Sequence, residues 1–155
     1  MGPLRPLAAA LFLLAARPAA AQAPHGFEAG LGAMVVARDP AWAGGALHLA
    51  LRPGGGTRIS AGVGLGGADG RTIGRGELLV AWLVAPRRRS GVGPYAFGGI
   101  AGVTGSGRQG YLALGLGLES APGGRSGWFL EGGVGGGARF SAGWRWRHFT
   151  SPARP

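Results

Sequence analysis

Cysteine, lysine and asparagine are absent from the chain, and only six acidic residues stand against sixteen basic ones. Without cysteine there can be no disulfide and no thiolate metal centre, so stability must come from packing or from a closed network of hydrogen bonds. With no lysine, every basic residue is an arginine; that bias, shared by the missing asparagine, reads as coding preference and not as function. No His, Cys or carboxylate cluster has metal-ligand spacing, so no metal is expected. The glycine-rich run 62–67 looks like a dinucleotide loop but lies inside a strand pattern, where such a loop has no helix to open, and 102–108 lacks the Lys-Ser/Thr pair that closes a phosphate loop. No cofactor is expected either. Long hydrophobic runs are missing too: the apolar stretch 7–16 falls well short of the roughly twenty residues that a membrane helix needs, and Arg17 and Pro18 close it.

That short stretch has another reading. Arg5 precedes it and Ala21-Gln22-Ala23 follows it as a small-x-small site, the arrangement of a secretory signal peptide. The expected organisation is a signal segment at 1–23 and one domain at 24–155. Export weakens any nucleic-acid reading of the net charge of +10, and the arginines are scattered through turns and strands, not massed on one basic segment with stacking aromatics. Glycine, 35 of 155 residues, has no Gly-X-Y period, which excludes collagen. At 46% hydrophobic, with the apolar residues ordered by parity, the chain is not a disordered one either.

What the chain does contain is alternation. In 111–119, Leu112, Leu114, Leu116 and Leu118 alternate with Ala113, Gly115 and Gly117, a period of two and therefore a strand. Bulky faces tiny, where a half-buried soluble strand would set bulky against polar. Four leucines are worth roughly 6–12 kcal/mol on removal from water, so an apolar partner must cover them. Eight such segments can be marked, at 27–37, 42–52, 57–66, 73–85, 94–103, 109–119, 126–135 and 138–149, separated by breaks rich in Gly, Pro, Asp and Ser. Short breaks make neighbours antiparallel hairpins, and the lengths suit tilted membrane strands. The fold class predicted is all-β: an eight-stranded antiparallel up-and-down transmembrane β-barrel, lipid-facing outside and cramped inside.

Parity then assigns the faces. The apolar face collects the leucines with Phe27, Leu31, Trp82, Tyr95, Phe97, Trp128, Leu130, Phe140, Trp144 and Trp146, and almost no charge. Strand direction gathers Phe27, Trp82, Tyr95, Trp128, Trp144 and Trp146 at one rim, where an aromatic girdle would sit at the membrane interface. Both chain ends lie at this rim, which is assigned to the periplasm. The opposite face carries Glu28, Arg58, Glu77, Glu131, Arg145 and Arg147 as a lumen charge network, with Arg75, Glu119 and Arg139 of the same parity. In it Glu131 is expected beside Arg145, Glu28 beside Arg145 and Arg147, and Glu77 across from Ser60 and Arg58. No catalytic residue is assigned: His48, Ser60 and Glu77 share the lumen face, but no nucleophile signature supports them as a triad. Arg87-Arg88-Arg89, in the longest break, reads as a solvated turn or a contact for cell-wall or lipid phosphates.

Signal segment, alternating strands and girdle together make the chain resemble the small eight-stranded outer-membrane β-barrel family, the porin-like outer-membrane protein β-barrel domain, over essentially all of 24–155. The resemblance implies a non-enzymatic integral outer-membrane barrel of a Gram-negative-type cell, structural or weakly permeable and monomeric. Outer-membrane lipid, lipopolysaccharide and the barrel-assembly machinery are its implied partners. Members often end on an aromatic residue that this machinery recognises; here Phe140, Trp144 and Trp146 alternate, whereas Phe149 is out of phase and 150–155 follow it. The length leaves no room for an appended peptidoglycan-binding domain, and the short breaks disfavour adhesion through long loops. Two alternatives remain at this point: an exported soluble barrel around a lipophilic ligand, which requires an apolar lumen, and an outer-membrane lipid-modifying hydrolase using His48 or Ser60.

Overall fold

The computed structural model describes residues 25–54, 56–105 and 108–150; the predicted signal segment and the tail 151–155 lie outside the described residues. Eight strands follow one another: β1 (His25–Ala37), β2 (Trp42–Gly54), β3 (Thr57–Ala68), β4 (Arg71–Leu83), β5 (Val92–Val103), β6 (Gln109–Ser120), β7 (Ser126–Val134) and β8 (Ala138–Thr150). Each pairs antiparallel with its sequence neighbour, and β8 returns to β1, closing the barrel. Every end falls within two residues of its expected position, because the turn formers that end the alternation also end the ladders. At Asp69 and Gly70 the backbone takes positive φ values of 50° and 68°, the geometry of a tight hairpin that Asp and Gly accommodate.

Closure puts alternate residues on opposite sides of a single wall. Outside stand Leu112, Leu114, Leu116 and Leu118 of β6, with Leu65, Leu78, Ile100 and Leu130 of other strands; Leu112 and Leu116 expose 75% and 70% of their surface. No arginine or carboxylate points outward from the middle of a strand among the described residues, and the outward histidines, His25 and His148, sit at one rim. Inside lie all four glutamates of the chain and the buried arginines.

One strand reverses its expected faces. Parity sets Tyr95 and Phe97 outward, and Tyr95 in the girdle, but both point into the lumen, Tyr95 with 2% of its surface exposed. Register is the cause: Tyr95 pairs with Gly117 and Phe97 with Gly115 of β6, whose outward residues are the leucines. Residues directly opposite in a ladder share a face, so the rings must share the face of the glycines. The outward residues of β5 are Pro94, Ala96, Gly98 and Ile100. Phe27, Trp82, Trp128 and Trp146 remain outward and exposed toward the rim that holds both chain ends, hereafter the terminal rim; Trp144 is outward too, but it stands at the middle of β8 opposite Leu31, below the expected girdle.

Candidate functional site: the filled lumen

Each lumen side chain is delivered by an inward strand position, and small residues on the adjoining strand make room for it. Tyr95 and Phe97 lie over Gly117 and Gly115. Trp42 occupies the space beside Gly64 and Gly66, and the Phe129 ring that beside Gly32 and Gly143. The silent face of the leucine strand is therefore not empty; neighbouring rings fill it.

Charge runs through these rings as one connected chain. Glu119 accepts from Arg58 at 2.7 Å, Arg145 and Arg147 at 3.1 Å each, and Arg52 at 3.3 Å. Glu131 accepts from Arg145 at 2.6 Å and Arg139 at 2.9 Å, and takes further hydrogen bonds from the hydroxyls of Tyr95 at 2.8 Å and Ser141 at 3.0 Å. Arg139 continues to Glu77 at 2.9 Å, where Arg75 also donates, at 2.9 Å. Glu28 sits among Arg52, Arg58 at 3.5 Å and Arg147 at 3.7 Å, held by charge without a well-directed hydrogen bond. Six arginines against four glutamates leave the network two positive charges in excess. Aromatic faces take up part of that excess: Arg145 lies 4.0 Å over the Phe129 ring, Arg58 4.6 Å over Tyr95, and Arg139 5.0 Å over Phe97.

The structure brings Glu28, Arg58, Glu131, Arg145 and Arg147 into contact and adds Glu119, Arg52, Arg75 and Arg139, which complete the network. Two expected pairings are corrected. Glu77 meets Arg75 and Arg139, not Arg58, because across the β3–β4 ladder it stands opposite Gly62; Ser60 instead faces Leu79, whose carbonyl its hydroxyl approaches at 3.5 Å. Arg145 is taken up by Glu119 and Glu131, leaving Glu28 to Arg52, Arg58 and Arg147. Glu119 had a readable signal, since it continues the inward parity of Ala113, Gly115 and Gly117. Tyr95→Phe is expected to cost about 1–3 kcal/mol with the ring still in place, because its hydroxyl donates to Glu131 and accepts from Arg145 at 3.1 Å; denaturant midpoints in one detergent measure it.

Among the described residues side chains or loops lie across each mouth, and on the side opposite the chain ends they floor a hollow of about 610 Å³ lined by Arg38, Asp39, Arg71 and Tyr111. At the rim opposite the chain ends, Met34, Val36, Trp42, Ala68, Ile73 and Val103 form an apolar cluster with Tyr111 against it, and the Trp42 indole donates to the Ile73 carbonyl at 3.2 Å. At the terminal rim, loops 84–91 and 121–125 clasp each other through Ala121 N–H to the Gly91 carbonyl at 2.8 Å and Gly123 N–H to the Arg88 carbonyl at 2.7 Å. Pro122 of this clasp is fully buried, and Arg52 donates to its carbonyl at 2.9 Å. Between the seals, His48 borders two voids of about 10 Å³ each, one shared with Ser60 and the other with Glu77. Each is about one water in size. His48 meets the edge of the Phe129 ring and its Nε2 has no protein partner, so a bridging water is what such a void suits. A lipid substrate would not fit beside it.

Among solved structures, the chain is similar to the crystal structure of the N-terminal β-barrel domain of Pseudomonas aeruginosa OprF, with a TM-score of 0.57 and 15% identity over 78% of this chain and 97% of that one. The likeness establishes a shared eight-stranded barrel architecture. No protein-family model matches the sequence, and no curated protein matches it.

Proposed function

We propose that the chain is a non-enzymatic integral β-barrel of an outer membrane, sealed along its axis and structural in role, not a conducting pore. The observation that carries this reading is the inverted wall: leucine, valine and tryptophan stand exposed around the barrel while the arginines and glutamates are buried inside it. Soluble monomers rarely expose contiguous apolar patches beyond a few hundred Å², and here the patch encircles the molecule. A bilayer covers such a belt, and the closed barrel leaves no unpaired strand edge in hydrocarbon. The soluble alternative needs an apolar ligand cavity, whereas the interior is charged and the two voids that border His48 hold about one water each. Assembly through the barrel-assembly machinery and a monomeric state belong to the same reading, as does export by the signal segment.

Leu114, midway along β6 and outward, discriminates the two environments. Leu114→Arg is expected to cost about 2–4 kcal/mol for the protein in lipid, since an arginine at mid-depth must leave water. On a water-facing wall the same change would fall within about 0.5 kcal/mol of zero. Membrane fractionation and a heat-dependent shift on detergent gels give the companion test. Recovery as soluble periplasmic protein, with no shift, overturns the membrane reading; regular conductance steps in planar bilayers overturn the sealed lumen.

A further inference from the structure

The two rims differ sharply in charge. Exposed ionisable groups at the terminal rim are Arg87, Arg88, Arg89 and Arg125, together with His25 and His148; no exposed carboxylate accompanies them among the described residues. Both exposed aspartates, Asp39 and Asp69, lie at the other rim, where they offset Arg38, Arg71 and Arg108. The four arginines occupy one platform, because the loops that bear them are the two that clasp each other. Arg125 is fixed to the wall as well, its carbonyl accepting from the Arg147 N–H at 2.7 Å. Arg88 alone is committed internally, donating to the Val92 carbonyl at 2.7 Å. Arg87, Arg89 and Arg125 project from the platform without that tie.

A second feature sets the depth of this platform. Trp82, Trp128 and Trp146 form the outward belt toward the same rim, and tryptophan settles at the headgroup level. Arginines one loop beyond such a belt reach the phosphate layer. The lumen adds to their field: Arg52, Arg58 and Arg147 crowd Glu28 and Glu119 at this end, so one of the two excess positive charges of the interior lies behind the platform. Guanidinium groups bind phosphate oxygens in a paired geometry, and Coulomb attraction near a low-dielectric surface reinforces the contact.

Resting on the membrane reading above, we infer that the terminal rim is a binding surface for anionic phospholipid headgroups, seated through Arg87, Arg89 and Arg125 beside the tryptophan belt. It orients the barrel with this rim in the phospholipid leaflet. The test uses the full-length protein in phosphatidylcholine vesicles with spin-labelled phosphatidylglycerol or phosphatidylcholine as probes, reading the relative association of each with the protein. Phosphatidylglycerol is expected to associate roughly fivefold more strongly, the ratio for one arginine per bound headgroup at about 1 kcal/mol near a charged surface. The ratio should fall to about one in high salt or in the Arg87→Gln/Arg89→Gln/Arg125→Gln variant, whose heat-dependent gel shift confirms folding. Arg71→Gln/Arg108→Gln, at the other rim, should leave it unchanged. Equal association of the two probes overturns the inference, as does a preference lost in the second variant but not the first, or one shown only for the phosphates of lipid A. Incorporation without preference removes this inference alone; failure to float with vesicles removes the membrane reading too.

Discussion

Glu119→Gln is expected to destabilise the barrel by about 3–5 kcal/mol, the cost of breaking a buried ionic network from one side. Glutamine keeps the shape, so no cavity contributes. What is lost is the one carboxylate that serves four guanidiniums, those of Arg52, Arg58, Arg145 and Arg147. The network already carries two more arginines than glutamates, and the substitution raises the excess to three. Urea titration in a fixed detergent measures the loss. Arg58→Gln in the same background removes one of the stranded charges, so the double variant should recover part of the stability. A loss below about 1 kcal/mol, or no recovery, would mean that the rings and trapped water screen these charges so well that the carboxylate is dispensable.

The barrel itself was legible because its determinants are local. Alternation in β6, turn residues between strands and the parity of Glu28, Arg75, Glu77 and Glu131 each follow from a few adjacent residues. The faces of β5 were not legible in the same way. Tyr95 and Phe97 stand on one side and Ile100 on the other, so composition gives no clear polarity. Their direction is decided by pairing, Phe97 with Ala81 of β4 and Gly115 of β6, a property of three strands together. A large apolar ring also fits a polar lumen when a guanidinium lies over its face, as Arg139 does over Phe97 and Arg145 over Phe129. Hydrophobicity alone therefore misassigns aromatics in a lumen built from arginine.

The same coupling explains why abundant glycine does not produce an open channel. Glycine on one inward strand adjoins a ring from the next: Gly117 with Tyr95, Gly115 with Phe97, Gly66 with Trp42 and Gly143 with Phe129. Small residues read as empty space in one dimension become sockets once the neighbouring strand is in register. Rings, guanidiniums and the two end seals then fill the axis, which is why the structural role is favoured over permeation.

Gly117→Val is the second change with a large expected effect, and it tests that socket directly. A side-chain carbon at Gly117 would lie 2.5 Å from one Tyr95 ring carbon and 2.6 Å from its hydroxyl oxygen. The ring cannot swing aside freely, because its hydroxyl is fixed to Glu131 and Arg145. Overpacking costs about 1–3 kcal/mol, and breaking the hydroxyl bonds adds a similar amount, so a loss of about 3 kcal/mol or more is expected. Gly110→Ala, on the outward face of the same strand, is the contrast: a carbon there meets no atom within 4 Å, and replacing a strand glycine should be neutral or gain about 0.5–1 kcal/mol. Coupling identifies the partner. In a double-mutant cycle with Tyr95→Leu, the two losses should fall short of additivity by about 1 kcal/mol or more, since the shorter side chain vacates the contested space. Strict additivity, or equal costs at Gly117 and Gly110, would show that glycine on this strand serves backbone pairing alone and that the lumen has room to spare.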